Sequence, residues 1–118
     1  MSSDAAAEQL ATCRRFGVPP VESPEDFKVG ISRNVLQGIE PLNALRHMPA
    51  GDTTGWYIWA GGEPEADPDF FVPLHVAHVG VWCPQILPYL ALPPGFRVLL
   101  GPGYEDVWDD PALLQVIT

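Results

Sequence analysis

The segment Gly101-Pro102-Gly103-Tyr104-Glu105-Asp106-Val107-Trp108-Asp109-Asp110-Pro111 sets four carboxylates within six residues around one tryptophan. Carboxylates this close can work as a general acid and base, hold a hard cation, or face a basic partner. A second acidic group, Glu63, Glu65, Asp67 and Asp69, alternates with Pro64, Ala66 and Pro68. For a cation loop, Asp106, Asp109 and Asp110 lack the alternating oxygen ligands and central glycine of an EF-hand. Glycosidase-type hydrolysis needs an acid, a base and a sugar cleft. Trp56, Trp59, Tyr104 and Trp108 offer cleft walls, but no spacing marks out the two carboxylates. A small carboxylate-dependent hydrolase is therefore the enzymatic alternative and not the leading reading.

Other chemistry is weaker still. His75 and His78 have a spacing that puts two imidazoles on one helical face, with Cys83 nearby. A structural zinc site needs a fourth ligand, and no paired Cys-x-x-Cys element supplies one. As a nucleophile, Cys83 sits between Trp82 and Pro84, an apolar setting that raises a thiol pKa. Gly61-Gly62 and Gly101-Pro102-Gly103 are not followed by the Lys and Ser/Thr of a phosphate loop. No catalytic residue, metal or cofactor is expected.

Charge distribution favours the partner reading. The formal net charge is −9; residues 1–47 carry six acids and five bases, whereas residues 48–118 carry nine acids and only Arg97. Such a field repels nucleic acid and anionic membranes and speeds encounter with a basic protein. Four acids make deep burial of residues 105–110 improbable. A part-exposed Trp108 ringed by carboxylates has the composition of an interface anchor with a charged rim. The expected partner-binding residues are Glu63, Glu65, Asp67, Asp69, Tyr104, Glu105, Asp106, Trp108, Asp109 and Asp110. A third reading is a structural or regulatory subunit in which Trp108 packs on another copy.

Elements must position these groups. With 118 residues and 47% apolar content, the chain suits one domain. Residues 1–26 read as a helix and a proline-rich connector, and residues 27–118 as the core. Ser3 or Asp4 can cap a helix over Ala5–Phe16, with Leu10, Cys13 and Ala6 on one face and Gly17 as terminator. Phe27–Ile31 alternates as a strand, Ser32 can cap a helical turn, and Leu42–Met48 reads as a short helix. Trp56-Tyr57-Ile58-Trp59 is the strongest strand signal, with Tyr57 and Trp59 facing opposite to Trp56 and Ile58. Residues 70–82 fit either strand or helix. Pro84 opens a helix to Leu90, Phe96–Leu100 is a strand, and Pro111 begins a final short helix. The sum is α+β: a small, mainly antiparallel sheet with helices packed on one face. The N-terminus lacks a signal-peptide pattern and no apolar run spans a membrane, so the expected setting is cytoplasmic, with free thiols.

The pieces GWYIWAGGE, DPDF, PLHVAHV, PQILPYLALPPGFRVLL and GYEDVW resemble bacterial immunity-protein family 33, over about Val29–Pro111. That resemblance implies a non-enzymatic α+β protein that binds and neutralises a cognate toxin of a polymorphic toxin system, and it favours helix for residues 75–82. Nuclease toxins fit the acidic surface best, since their active sites are basic. The expected assembly is a monomer or weak dimer.

Overall fold

The computed structural model describes residues 3–114. Six strands form one sheet: β1 (Lys28–Ile31), β2 (Leu42–Arg46), β3 (Thr53–Ala60), β4 (Val72–His75), β5 (Phe96–Gly101) and β6 (Tyr104–Asp109). Their order is β4-β1-β3-β2-β5-β6. Only β1 and β3 run parallel; every other neighbouring pair is antiparallel. Helix α1 (Ser3–Arg15), helix α2 (Val76–Trp82) and a 3₁₀ segment at Pro84–Tyr89 gather on one face. The architecture is α+β, as the sequence implies. The capping expected of Ser3 or Asp4 concerns side chains outside the described set.

Between sheet and helices, strand alternation builds the core. Val29 and Ile31, Ala44, Trp56 and Ile58, and Val98 point inward from four adjacent strands and are at most 2% exposed. Val76, Val79, Ile86, Leu90 and Leu92 close over them from the chain that crosses from edge strand β4 to β5. Residues 70–82 resolve the expected ambiguity by being both: β4 ends at His75, and α2 begins at Val76. Gly80 belongs in that helix because a Cβ there would lie 3.1 Å from Leu87 Cδ1. Helix α1 is rotated from the expected face: Ala5, Thr12 and Cys13 are buried, whereas Leu10 is 43% exposed.

The segment read as a helix at Leu42–Met48 is instead β2, held between β3 and β5. Its composition suits a helix, but pairing on both sides outweighs propensity, which is a weak prior. The inward residues are Leu42, Ala44 and Arg46, and an inward arginine hides the alternation. Arg46 is 1% exposed and forms no ion pair with a carboxylate among the described residues. Its Nε donates to the Thr54 carbonyl at 2.9 Å. Nη1 donates to the carbonyls of Val21 at 2.7 Å and Leu92 at 2.8 Å, and Nη2 to that of Glu22 at 3.1 Å. Burial lowers its pKa to about 10, so the charge persists at neutral pH, spread over five backbone dipoles, the Leu90 carbonyl at 3.5 Å included. One side chain thus fastens the proline-rich connector, β3 and the crossing chain together. Beside it, Gly55 has φ +91°, and a Cβ there would run into the His47 carbonyl. Only glycine lets the His47 N–H reach the Gly55 carbonyl at 2.9 Å.

Candidate functional site

Alternation that fills one face of the sheet leaves the other without an α-helix among the described residues; the short 3₁₀ turn Pro111–Leu114 touches it at His47, whose Nδ1 lies 3.2 Å from the Leu113 carbonyl. Register across the strands sets this open face in rows. One row runs Gly30, Tyr57, Leu45, Arg97, Trp108; the next runs Trp59, Asn43, Leu99, Asp106. Tyr57 and Trp108 are therefore three strand spacings apart, about 14 Å. Among the aromatics, Tyr57 is 39% and Trp108 40% exposed, too much surface for ordinary core packing.

At the Tyr57 end the rings form a cluster. Phe71 meets Tyr57 at 5.1 Å and Trp59 at 6.0 Å between centroids, both near-perpendicular, and His47 meets Tyr57 at 5.6 Å. Tyr57 lies over Gly30, where a Cβ would come within 2.8 Å of its ring. Trp59 stands on the face opposite to Trp56, as the alternation requires, and is only 6% exposed beneath the loop between β3 and β4. Its Nε1 donates to the Gly62 carbonyl at 2.7 Å, drawing that loop down over the sheet. Pro64 and Glu63 then overhang a groove floored by Asn43, Leu45 and Trp59, with Arg97 on its far wall.

The expected site residues divide by face. Glu63, Glu65, Asp67 and Asp69 are all exposed in the overhanging loop, where Asp67 Oδ1 accepts the Asp69 N–H at 2.9 Å. In β6, Tyr104, Asp106 and Trp108 project from the open face, whereas Glu105, Val107 and Asp109 belong to the helical side. The segment is thus an edge strand, entered from β5 through a Pro102-Gly103 turn. The open face thus carries Asp106 on β6, and Glu63 of the loop overhangs it beside Leu45 and Arg97.

Two of the acids already have partners. Glu105 takes both guanidinium nitrogens of Arg15, at 2.7 and 2.8 Å, and the Tyr89 hydroxyl also donates to it. These bonds, Arg15 first, hold its pKa down at about 2. Asp110 accepts from Arg97 Nε at 2.7 Å, which lowers its pKa, and it caps the Ala112 N–H at 3.2 Å. Glu63, Glu65, Asp69, Asp106 and Asp109 offer side chains that make no hydrogen bond or ion pair among the described residues. The carboxyls that depart from ordinary values, Asp52, Glu105 and Asp110, all move downward. That is the wrong direction for a general acid at neutral pH.

The remaining candidates are spread apart or sealed. Cys13 and Cys83 are buried free thiols, and burial pushes Cys83 up to about 11. His75 and His78 approach edge to face at 6.3 Å, but among the described residues no cluster of three or more ligating side chains forms. No helix there is long and apolar enough to cross a membrane. Tyr57, Leu45, His47, Phe71 and Arg97 were not expected at a site. The signal available for Tyr57 was its alternation with Trp56 and Ile58, which put aromatic rings on both faces of one strand.

No curated protein and no solved structure matches the chain. Residues 8–110 match the model for the Imm33-like domain. The match begins inside α1, earlier than the resemblance from Val29, in keeping with Cys13 and the Arg46-bound connector being part of the core. The chain belongs to the Imm33-like domain family, which is consistent with an immunity protein.

Proposed function

We propose that this protein neutralises a cognate toxin by binding it through the open face of the sheet, without catalysis. The observation that carries this reading is an aromatic face that no α-helix of the described residues covers, beset by acids of the overhanging loop and Asp106 that lack ion-pair partners among those residues. Residues 48–118 hold nine acids against one base, so the face attracts a basic surface from a distance. Contact then requires desolvated anchors, and Trp108, Tyr104 and the Tyr57 cluster supply rings of the type that dominate interface energetics. Glu63, Glu65, Asp67, Asp69 and Asp106 form the charged rim, while Asp109 lies on the other side of β6. Glu105 and Asp110 contribute through the shape of β6 and its flank, since their charges are already met by Arg15 and Arg97.

A nuclease toxin suits such a surface, because a site built for phosphates is basic and an acidic face can occupy it. A cytoplasmic setting follows from the same role. The test is co-expression with the product of the neighbouring gene. Growth rescue together with a co-purifying, salt-sensitive complex is expected. Rescue without any complex would overturn binding as the mechanism and point to enzymatic detoxification.

A further inference from the structure

The loop that carries Glu63 to Asp69 leaves a pocket of about 290 Å³ between itself and the sheet. Its walls are Leu45, His47, Tyr57, Trp59, Pro64 and Phe71. That volume lies just below the roughly 300–1,000 Å³ typical of cofactor sites, so it fits one side chain of a larger partner. The rings stand at 75° (Tyr57–Phe71), 82° (Trp59–Phe71) and 81° (His47–Tyr57), presenting π surface in more than one direction. Pro64 in the pocket wall stands between Glu63 and Glu65 in the chain, and no Lys or Arg occurs between Arg46 and Arg97. Arg97, beyond Pro64, is held by Asp110.

We infer that this aromatic pocket takes an arginine side chain of the protein partner, stacked on Tyr57 or Phe71 and paired with the overhanging carboxylates. This deepens the toxin-binding reading and rests on it. A guanidinium is planar and weakly hydrated, so one plane can lie on a ring while its N–H groups reach acids at the rim. Lysine carries a compact, strongly hydrated charge and loses more water on entering apolar walls. An apolar side chain would use the walls and leave Glu63 and Glu65, which flank Pro64, without a role. Trp108, about 14 Å away on the same face, would then give the partner a second, separate contact.

The test is an NMR titration of the full chain with acetyl-arginine amide, following the Trp59 indole N–H. Acetyl-citrulline amide, of the same shape without charge, and acetyl-leucine amide are the controls. The Trp59 signal is expected to move at millimolar arginine amide, with at least tenfold weaker response to either control. Phe71→Leu, which keeps apolar volume and removes a ring, is expected to abolish the shift while the remaining spectrum is preserved. No response at Trp59, an equal response to citrulline or leucine, or a response centred on Trp108 would overturn the assignment. Growth rescue by the wild-type chain with no arginine response overturns the pocket alone. An arginine response with neither rescue nor complex overturns the toxin reading and leaves the selectivity of the pocket standing.

Discussion

Arg15 and Glu105, ninety positions apart in the chain, form a two-pronged ion pair that ties the last turn of α1 to edge strand β6. The Tyr89 hydroxyl completes the group from the crossing chain. The pair makes stability depend on acid in a definite direction. The carboxyl of Glu105 falls from an ordinary 4.5 to about 2 in the folded protein. As pH drops, the unfolded chain protonates first, so the contribution is full above 4.5 and is lost as pH falls toward 2. Arg15 is 53% and Glu105 30% exposed, so solvent screening limits the contribution to about 1 kcal/mol or less. Urea unfolding from pH 6 to pH 2.5 should show this loss, and Glu105→Gln should flatten that part of the curve. An unchanged slope would mean the pair contributes nothing to folding.

Arg46 offers a larger effect. Replacing it with Met leaves the carbonyls of Thr54, Val21, Leu92 and Glu22 without their donor in a buried site. Each orphaned buried group costs about 1–3 kcal/mol, and part of that is recovered by relaxation. A net loss of about 3–5 kcal/mol is expected for Arg46→Met, a large share of the roughly 5–15 kcal/mol of a typical domain. Arg46→Lys should fall in between, because one ammonium cannot reach all four acceptors. Equilibrium urea denaturation measures both; a Met variant as stable as the wild type would show the cage to be dispensable.

These two arginines also mark where sequence reasoning reached and where it stopped. Trp56-Tyr57-Ile58-Trp59 alternates plainly, and β3 lies at the centre of the sheet as that pattern requires. Leu42–Arg46 does not announce itself, because its third inward residue is charged and the reason is a set of carbonyls drawn from three distant segments. The acids around Trp108 were visible as a group, yet a strand divides them by face every second residue. Which of them are free depends on Arg15, which no local spacing connects to Glu105. Bringing Glu63 and Asp106 to one face requires the strand order, with β2 and β5 inserted between β3 and β6. Spacing along the chain carries no information about that order.

The division by face predicts unequal effects of charge reversal. Asp106→Lys and Glu65→Lys change acids without internal partners. Each should slow association with the cognate toxin at low salt by about tenfold, with little change in melting temperature. At 0.15 M salt the effect should shrink, since screening acts over about 8 Å. Asp110→Lys should behave differently: it breaks the Arg97 pair and the Ala112 cap, so stability falls along with binding. Stopped-flow association across a salt series, beside thermal melts, separates the cases. Equal on-rates for wild type and both unpaired-acid variants would remove electrostatic steering from the mechanism.

The buried thiols give a check on covalent chemistry. Cys13 and Cys83 are each 1% exposed, and burial raises both pKa values, that of Cys83 to about 11. A thiolate is the reactive form, so native protein at pH 7.5 should resist iodoacetamide for hours, whereas both thiols should react in 8 M urea, as roughly expected once burial is lifted. Mass spectrometry of intact protein reads the outcome. Rapid alkylation of native Cys83 would reopen its candidacy as a nucleophile.

Gly30 tests whether the position of Tyr57 matters to binding. A Cβ at Gly30 would lie 2.8 Å from Cδ1 and Cε1 of the Tyr57 ring, closer than real contacts allow. Tyr57 is 39% exposed, so the ring has room to swing outward and the backbone can stay in place. Gly30→Ala should therefore cost about 1–3 kcal/mol, the usual range for overpacking, and leave the sheet intact. The displaced ring no longer meets Phe71 and His47 edge to face, so the wall of the aromatic pocket opens. Toxin affinity should fall by at least tenfold, mainly through faster dissociation, while the low-salt on-rate set by the acids is retained. Surface-based kinetic measurements on Gly30→Ala and Tyr57→Ala distinguish this from general destabilisation. Unchanged dissociation in both variants would remove the Tyr57 cluster from the interface and leave the Trp108 border as the contact.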